Sequence, residues 1–163
     1  MFLKHHVENV IVFDELQQNA VAQNQYWVQC LLHGLLNWAK RTSTYSNEPI
    51  NLHENGQLTL SENIADLAGL SAAYDAYKQE MAGKQGPVIN GFTDDQTFFI
   101  AFAQTWRTKN REESDRQQVM TDGHALDRYR AATVRNLDAW YDAFAVKPGQ
   151  RLYLAPTARA RVW

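Results

Sequence analysis

Residues 61–70 read Ser61-Glu62-Asn63-Ile64-Ala65-Asp66-Leu67-Ala68-Gly69-Leu70. Ile64, Leu67 and Leu70, continued by Tyr74, Tyr77 and Met81, recur every three or four residues. That period predicts a helix from about Leu60 to Met81 with one buried stripe. Glu62 and Asp66 then stand one turn apart on the same face. Like charges at that spacing weaken a bare helix by roughly 0.2–0.5 kcal/mol, so the pair needs a reason. One reason is local. Thr59-Leu60-Ser61-Glu62 fits a capping box in which Glu62 bonds back to the Thr59 backbone, and acids are favoured near a helix N-terminus. The other reason would be a cation.

The flanking sequence is also helical in pattern. Asn55-Gly56 is a turn pair, and Gln57 to Leu60 has the look of a short extended piece. Gly83 to Gly91, with Pro87, predicts a loop. Thr93 is a good N-cap with Asp94 and Asp95 behind it. Phe98, Phe99, Phe102 and Trp106 form the apolar face of that helix. A further helix is expected over Glu112 to Met120, then a polar loop from Thr121 to Arg130 that holds His124. Asn136 is expected to cap a short helix with Leu137, Trp140, Tyr141 and Phe144. Lys147 to Gln150 is a turn. Upstream, Tyr26 to Trp38 has helical apolar spacing, and Thr42 to Pro49 reads as a polar connector. A boundary is therefore expected near residue 48, separating segment 1–48 from 49–163.

Composition bounds the possibilities. The chain has 163 residues, 45% hydrophobic and 21% charged, which is enough for one domain with a core. Sixteen basic and 18 acidic side chains give a net charge of −2, so no electrostatic case exists for nucleic acid. The single cysteine, Cys30, excludes a disulfide within the chain and a thiolate metal cluster. It sits in an apolar patch and reads as inert core. Val10 to Phe13 is too short an apolar run for a signal-peptide core or a membrane span.

Several residues could carry chemistry. His124 could donate to an anionic transition state, and Arg130 could grip a carboxylate through its planar fork. The plainer alternative is a solvated His and a surface pair of Arg130 with Asp127. His53-Glu54-Asn55-Gly56-Gln57 begins like a His-Glu-x-x-His zinc helix, but Gln57 stands where the second His belongs, and an amide is a poor zinc ligand. Asn55-Gly56 would also break such a helix. The adjacent His5 and His6 point apart on any helix.

Taken together, the motifs resemble the neprilysin and endothelin-converting-enzyme family of zinc metalloendopeptidases. Glu62-Asn63 through Asp66 is similar to its E-N-x-x-D region. Phe98-Phe99 through Ala103-Gln104-Thr105-Trp106 resembles its F-F-x-x-x-A-Q-x-W helix. Arg116-Gln117-Gln118 followed by Asp122-Gly123-His124 resembles its R-x-Q…D-x-H segment, Tyr129-Arg130 its aromatic-Arg pair, and Arg161-Val162-Trp163 its terminal R-V-W. The resemblance covers about residues 51–163. It implies a mainly α chain, the C-terminal portion of a thermolysin-like (zincin) catalytic domain of bacterial type. It also implies roles: Glu62 as the third zinc ligand, Asp66 as the acid that orients a zinc-bound His, His124 as the stabiliser of the oxyanion, and Arg130 as the substrate-binding group.

The family's His-Glu-x-x-His helix has no counterpart in these 163 residues. Catalytic zinc needs three protein ligands. The expectation is therefore that zinc belongs to the complete family enzyme, that this chain alone does not bind it, and that the isolated chain is inactive. A peptide would be the substrate of the complete enzyme. Partners to consider are the missing N-terminal catalytic segment or a second copy of the chain, covering apolar surface on the Leu60–Met81 helix. No nucleic acid or membrane segment is expected. Family members are usually exported, and location is open. The alternative reading is a non-catalytic remnant or helical interaction module.

Overall fold

A computed structural model describes residues 38–47, 50–82 and 84–162. These all lie in one unit, Gly34–Val162. Cys30, Trp163 and the expected helix before Trp38 fall outside the described residues. Residues 38–42 are helical. Strand β1 (Ser46–Asn47) then pairs antiparallel with β2 (Leu52–His53). Helix α1 runs over Leu60–Glu80, α2 over Asp94–Thr105, α3 over Glu112–Thr121 and α4 over Asp127–Ala131. A 3-10 turn (Ala132–Asn136) leads into α5 (Asp138–Phe144), and a second 3-10 turn (Pro156–Ala158) lies in the tail. The described residues are mainly helical, as the periodicity predicts.

The core forms where the apolar faces of α1, α2 and α5 meet. Leu67, Leu70, Phe99, Val134 and Trp140 are buried in it together with Trp38. Phe99 is only 2% exposed; full burial of such a side chain stabilises by roughly 1.5–3 kcal/mol. Tyr74 stacks on Phe99 with centroids 5.2 Å apart and meets Phe98 edge-on at 5.3 Å. These ring contacts fix how α1 lies against α2. The expected boundary near residue 48 is not where packing ends: Trp38, Thr42 and Asn47 are buried with residues far downstream. Gly56 explains part of this. A Cβ there would lie 1.9 Å from the Ala39 carbonyl oxygen, so only glycine lets residues 38–42 close over the start of α1.

Several local expectations need correction. Thr59 precedes α1 but makes no capping box. Its hydroxyl donates to the Asn55 carbonyl at 3.1 Å and accepts from Asn63 Nδ2 at 3.2 Å. That leaves Glu62 free for a distant partner. Residues 56–59 are a turn and not an extended piece, because Asn55 Oδ1 accepts the N–H groups of Gln57 and Leu58. Arg130 lies on α4 and not in a loop. Asn136 does not cap α5; its Oδ1 accepts from Ala160 N–H and Arg41, tying the tail to the core. By contrast, Thr93 and Gln96 form the full reciprocal capping box of α2.

Candidate active site

Glu62 and Asp66 project from the first two turns of α1. The turn after α3 brings His124 to meet Glu62: His124 Nε2 lies 3.1 Å from Glu62 Oε2. Helix α4 delivers Arg130 to Asp66, with Nε and Nη2 each donating over 2.7 Å to a different carboxylate oxygen. The pair is largely shielded, at 16% and 11% exposure of the two side chains. All four residues chosen from the sequence thus converge, although Arg130 is separated from Asp66 by 64 positions. Arg130 is therefore paired with Asp66 and not in the surface pair with Asp127. Asp127 accepts instead from the Thr108 hydroxyl.

The turn carrying His124 is held atom by atom. Asp122 Oδ1 accepts the His124 backbone N–H at 2.8 Å and faces Nδ1 of its ring at 2.8 Å. These two contacts, the backbone one first, hold the Asp122 carboxyl below its usual range. Gln118, from α3, donates to the carbonyls of His124 and Ala125 at 3.3 and 3.2 Å. Both ring nitrogens of His124 thus face carboxylates. Hydrogen bonding to Asp66 holds the Arg130 guanidinium above its ordinary pKa, with Glu62 and Asp127 adding to the effect. The guanidinium carbon also lies 4.1 Å from the ring centroid of Trp106, a cation–π stack that fixes the plane of the fork.

Asp122 and Trp106 are site residues that motif matching left without a role. Asp122 was legible in principle, since an Asp two residues before a His in a turn can bond both its N–H and its ring. Trp106 reads as one more apolar position on α2, and nothing in the spacing tells that it ends beside a cation.

An open apolar groove of about 450 Å³ runs between α1 and α2, lined by Ala65, Gly69, Leu70, Ala73, Phe98 and Phe102, with Asp66 at its edge. Among the described residues, no group of three or more His, Cys, Asp or Glu could hold a metal ion. Glu62, the one expected ligand, has an oxygen on His124. The described residues do not by themselves fit a zinc centre.

The model of peptidase family M13 matches residues 8–160. The chain belongs to peptidase family M13. The match takes in most of segment 1–48, which the motif reading left outside the family. This M13 chain is 35% identical to neprilysin-3 of Drosophila melanogaster over 67% of its own length and 14% of that protein. It is 37% identical to human endothelin-converting enzyme 1 over 73% of its length and 16% of that protein. Among solved structures it is similar to the zinc metalloprotease Zmp1 of Mycobacterium tuberculosis in complex with inhibitor, with a TM-score of 0.77, 35% identity, and coverage of 82% of this chain and 21% of that one. It is also similar to PepO of Lactobacillus rhamnosis, with a TM-score of 0.65, 31% identity, and coverage of 87% and 20%. The M13 chain therefore has the fold of part of a zinc metalloprotease and spans about a seventh of the length of these curated relatives.

Proposed function

We propose that this chain supplies one side of the catalytic centre of a zinc metalloendopeptidase that hydrolyses peptide bonds. The observation that carries the reading is the convergence of Glu62 with His124 and of Asp66 with Arg130. In this reading Glu62 is a metal-binding carboxylate. Asp66 orients a metal-bound His; its oxygens retain acceptor capacity beyond the two bonds from Arg130. His124, braced by Asp122, donates a hydrogen bond to the oxyanion of the tetrahedral intermediate, a task that removing one donor typically slows by about 10²–10³-fold. Arg130, held flat by Trp106, binds a substrate carbonyl or terminal carboxylate. Zinc in the complete enzyme supplies the Lewis acid.

The two remaining ligands come from outside these residues. The groove between α1 and α2 is the natural seat for the segment that bears them, since it opens beside Asp66 and is apolar along its length. Isolated, the chain holds no stoichiometric zinc and cleaves no peptide. A non-catalytic role is the second reading, favoured by the lack of any His pair at metal-binding spacing in the sequence.

A chimaera tests the proposal. Residues 50–162 replace the matching part of a solved M13 enzyme. The chimaera is expected to bind one zinc and cleave peptide. Glu62→Ala should lose the metal, while His124→Ala should keep it and lose about 10²-fold in kcat. A Glu62→Ala chimaera that retains stoichiometric zinc would refute the assignment. Stoichiometric zinc on the unmodified 163-residue chain would refute its inactivity alone.

A further inference from the structure

Glu54 belongs to the His53-Glu54 pair that imitates the start of a zinc helix, and the proposed chemistry leaves it without a role. It is nonetheless 2% exposed. Its Oε1 accepts the Leu126 backbone N–H at 3.2 Å and faces Asn47 Nδ2 at 3.5 Å, while its Oε2 is buried with no partner. Asn47 Oδ1 accepts from Arg128 Nη2 at 2.7 Å, and Arg128 Nη1 faces Asp115 Oδ2 at 3.8 Å. Burial pushes the Glu54 carboxyl up from its usual range. The Leu126 N–H, Asn47 and Arg128 oppose this, and Asp115 adds to it.

A half-satisfied buried carboxyl is unfavourable for stability, and an apolar side chain of similar size would avoid the cost. An apolar side chain could not accept the Leu126 N–H, however. Leu126 is itself 2% exposed, so water is a poor substitute. Leu126 is also the pivot of the site. It lies two residues after His124, and its carbonyl accepts the N–H groups of Tyr129 and Arg130 at 2.8 and 3.2 Å, starting α4.

We propose that Glu54 is a positioning residue: by fixing the Leu126 amide it sets where the turn places His124 and where α4 places Arg130. The inference rests on the reading of His124 and Arg130 given above. Its test needs neither zinc nor peptide, so it can fail while that reading stands, and the chimaera tests that reading alone.

The full 163-residue chain is labelled with nitrogen-15, and two signals are followed: exchange of the Leu126 amide and the Arg130 Nε–H. Glu54→Leu should speed Leu126 exchange roughly tenfold, the equivalent of one lost hydrogen bond, and should lose the protected Arg130 Nε–H while the chain still melts cooperatively. Glu54→Gln keeps an acceptor of the same reach and should preserve both signals. Glu54→Asp, one methylene short, should lose both, and it serves if the Leu variant does not fold. An Arg130 Nε–H as protected in the Leu or Asp variant as in the parent chain would overturn the proposal. So would a Gln variant that behaves like the Asp variant.

Discussion

Arg130 binds Asp66 through two hydrogen bonds and lies over Trp106. Arg159 binds Asp138 and lies over Tyr141, 3.5 Å from the ring centroid. The parts are the same: carboxylate, guanidinium, aromatic face. Their surroundings differ. Arg159 also donates through Nε and Nη2 to the Leu154 carbonyl, and Asp138 is shared with Arg161. That set fastens the tail to α5, and Asp138 remains 49% exposed. Arg130 has no such backbone tether among its described bonds; Asp66 is shielded, and Glu62, His124 and Asp122 gather beside it. An Arg–Asp pair on a ring is therefore a structural device by default. Convergence of further groups beside an open groove marks one of the two as a site.

The comparison breaks most readily at Arg130. Arg130→Ala would leave a shielded Asp66 without its partner and remove the stack on Trp106. The expected cost is about 3 kcal/mol in urea denaturation. Arg130→Lys should restore less than half, since an ammonium cannot reproduce the planar two-bond fork. Arg159→Ala is expected to cost less, about 1.5 kcal/mol, because Asp138 regains water and keeps Arg161. A larger loss for Arg159→Ala than for Arg130→Ala would remove the distinction.

What the sequence showed of this arrangement follows from range. The aromatic stripe of α2, the Thr93 cap and the long period of α1 are local patterns, and the fold keeps them. The capping-box alternative for Glu62 came from a three-residue rule, whereas its partner, His124, lies 62 positions away, beyond the reach of any local pattern. Asp127 was the sequence-near choice for Arg130, and Asp66 won because burial favours the shielded, two-bond geometry. The four site residues were legible only through motif order. Trp106 and Glu54 were not legible at all: a tryptophan on an apolar face and a glutamate in a polar turn carry no sign of what they will touch. The place of Trp38 in the core was not legible either, since it depends on contacts with α1.

A smaller effect sharpens the structural side of the comparison. Helix α5, which carries Asp138, ends on Ala145 in the left-handed region at φ 50°. A Cβ disfavours that conformation by roughly 1–2 kcal/mol, and glycine is the usual residue there. Ala145→Gly should raise stability by up to about 1 kcal/mol after the greater freedom of glycine in the unfolded chain is subtracted. The melting temperature should rise while the Arg130 Nε–H signal stays where it was. A shift of that signal would mean the two Arg–Asp regions are coupled through the core.

The smallest expected effect has the clearest pH signature. The hydrogen bond from Arg161 foremost holds the Asp138 carboxyl below its usual range; burial pushes the other way, and Arg159 adds to the lowering. A folded-state pKa below the unfolded value means the unfolded chain binds more protons, so stability falls with falling pH through that window. The contribution is fully present above the unfolded value of about 3.8 and is lost as pH drops through the lower folded value. Because Asp138 is half exposed, solvent screens the pair, and Asp138→Asn should cost only about 0.5 kcal/mol at pH 7. Salt should shrink that difference further. As pH falls below the usual carboxylate range the parent and variant melting curves should converge, because protonation removes from the parent the charge that the variant lacks. A gap that persists in acid would show that Asp138 acts through shape or hydrogen bonding and not through its charge.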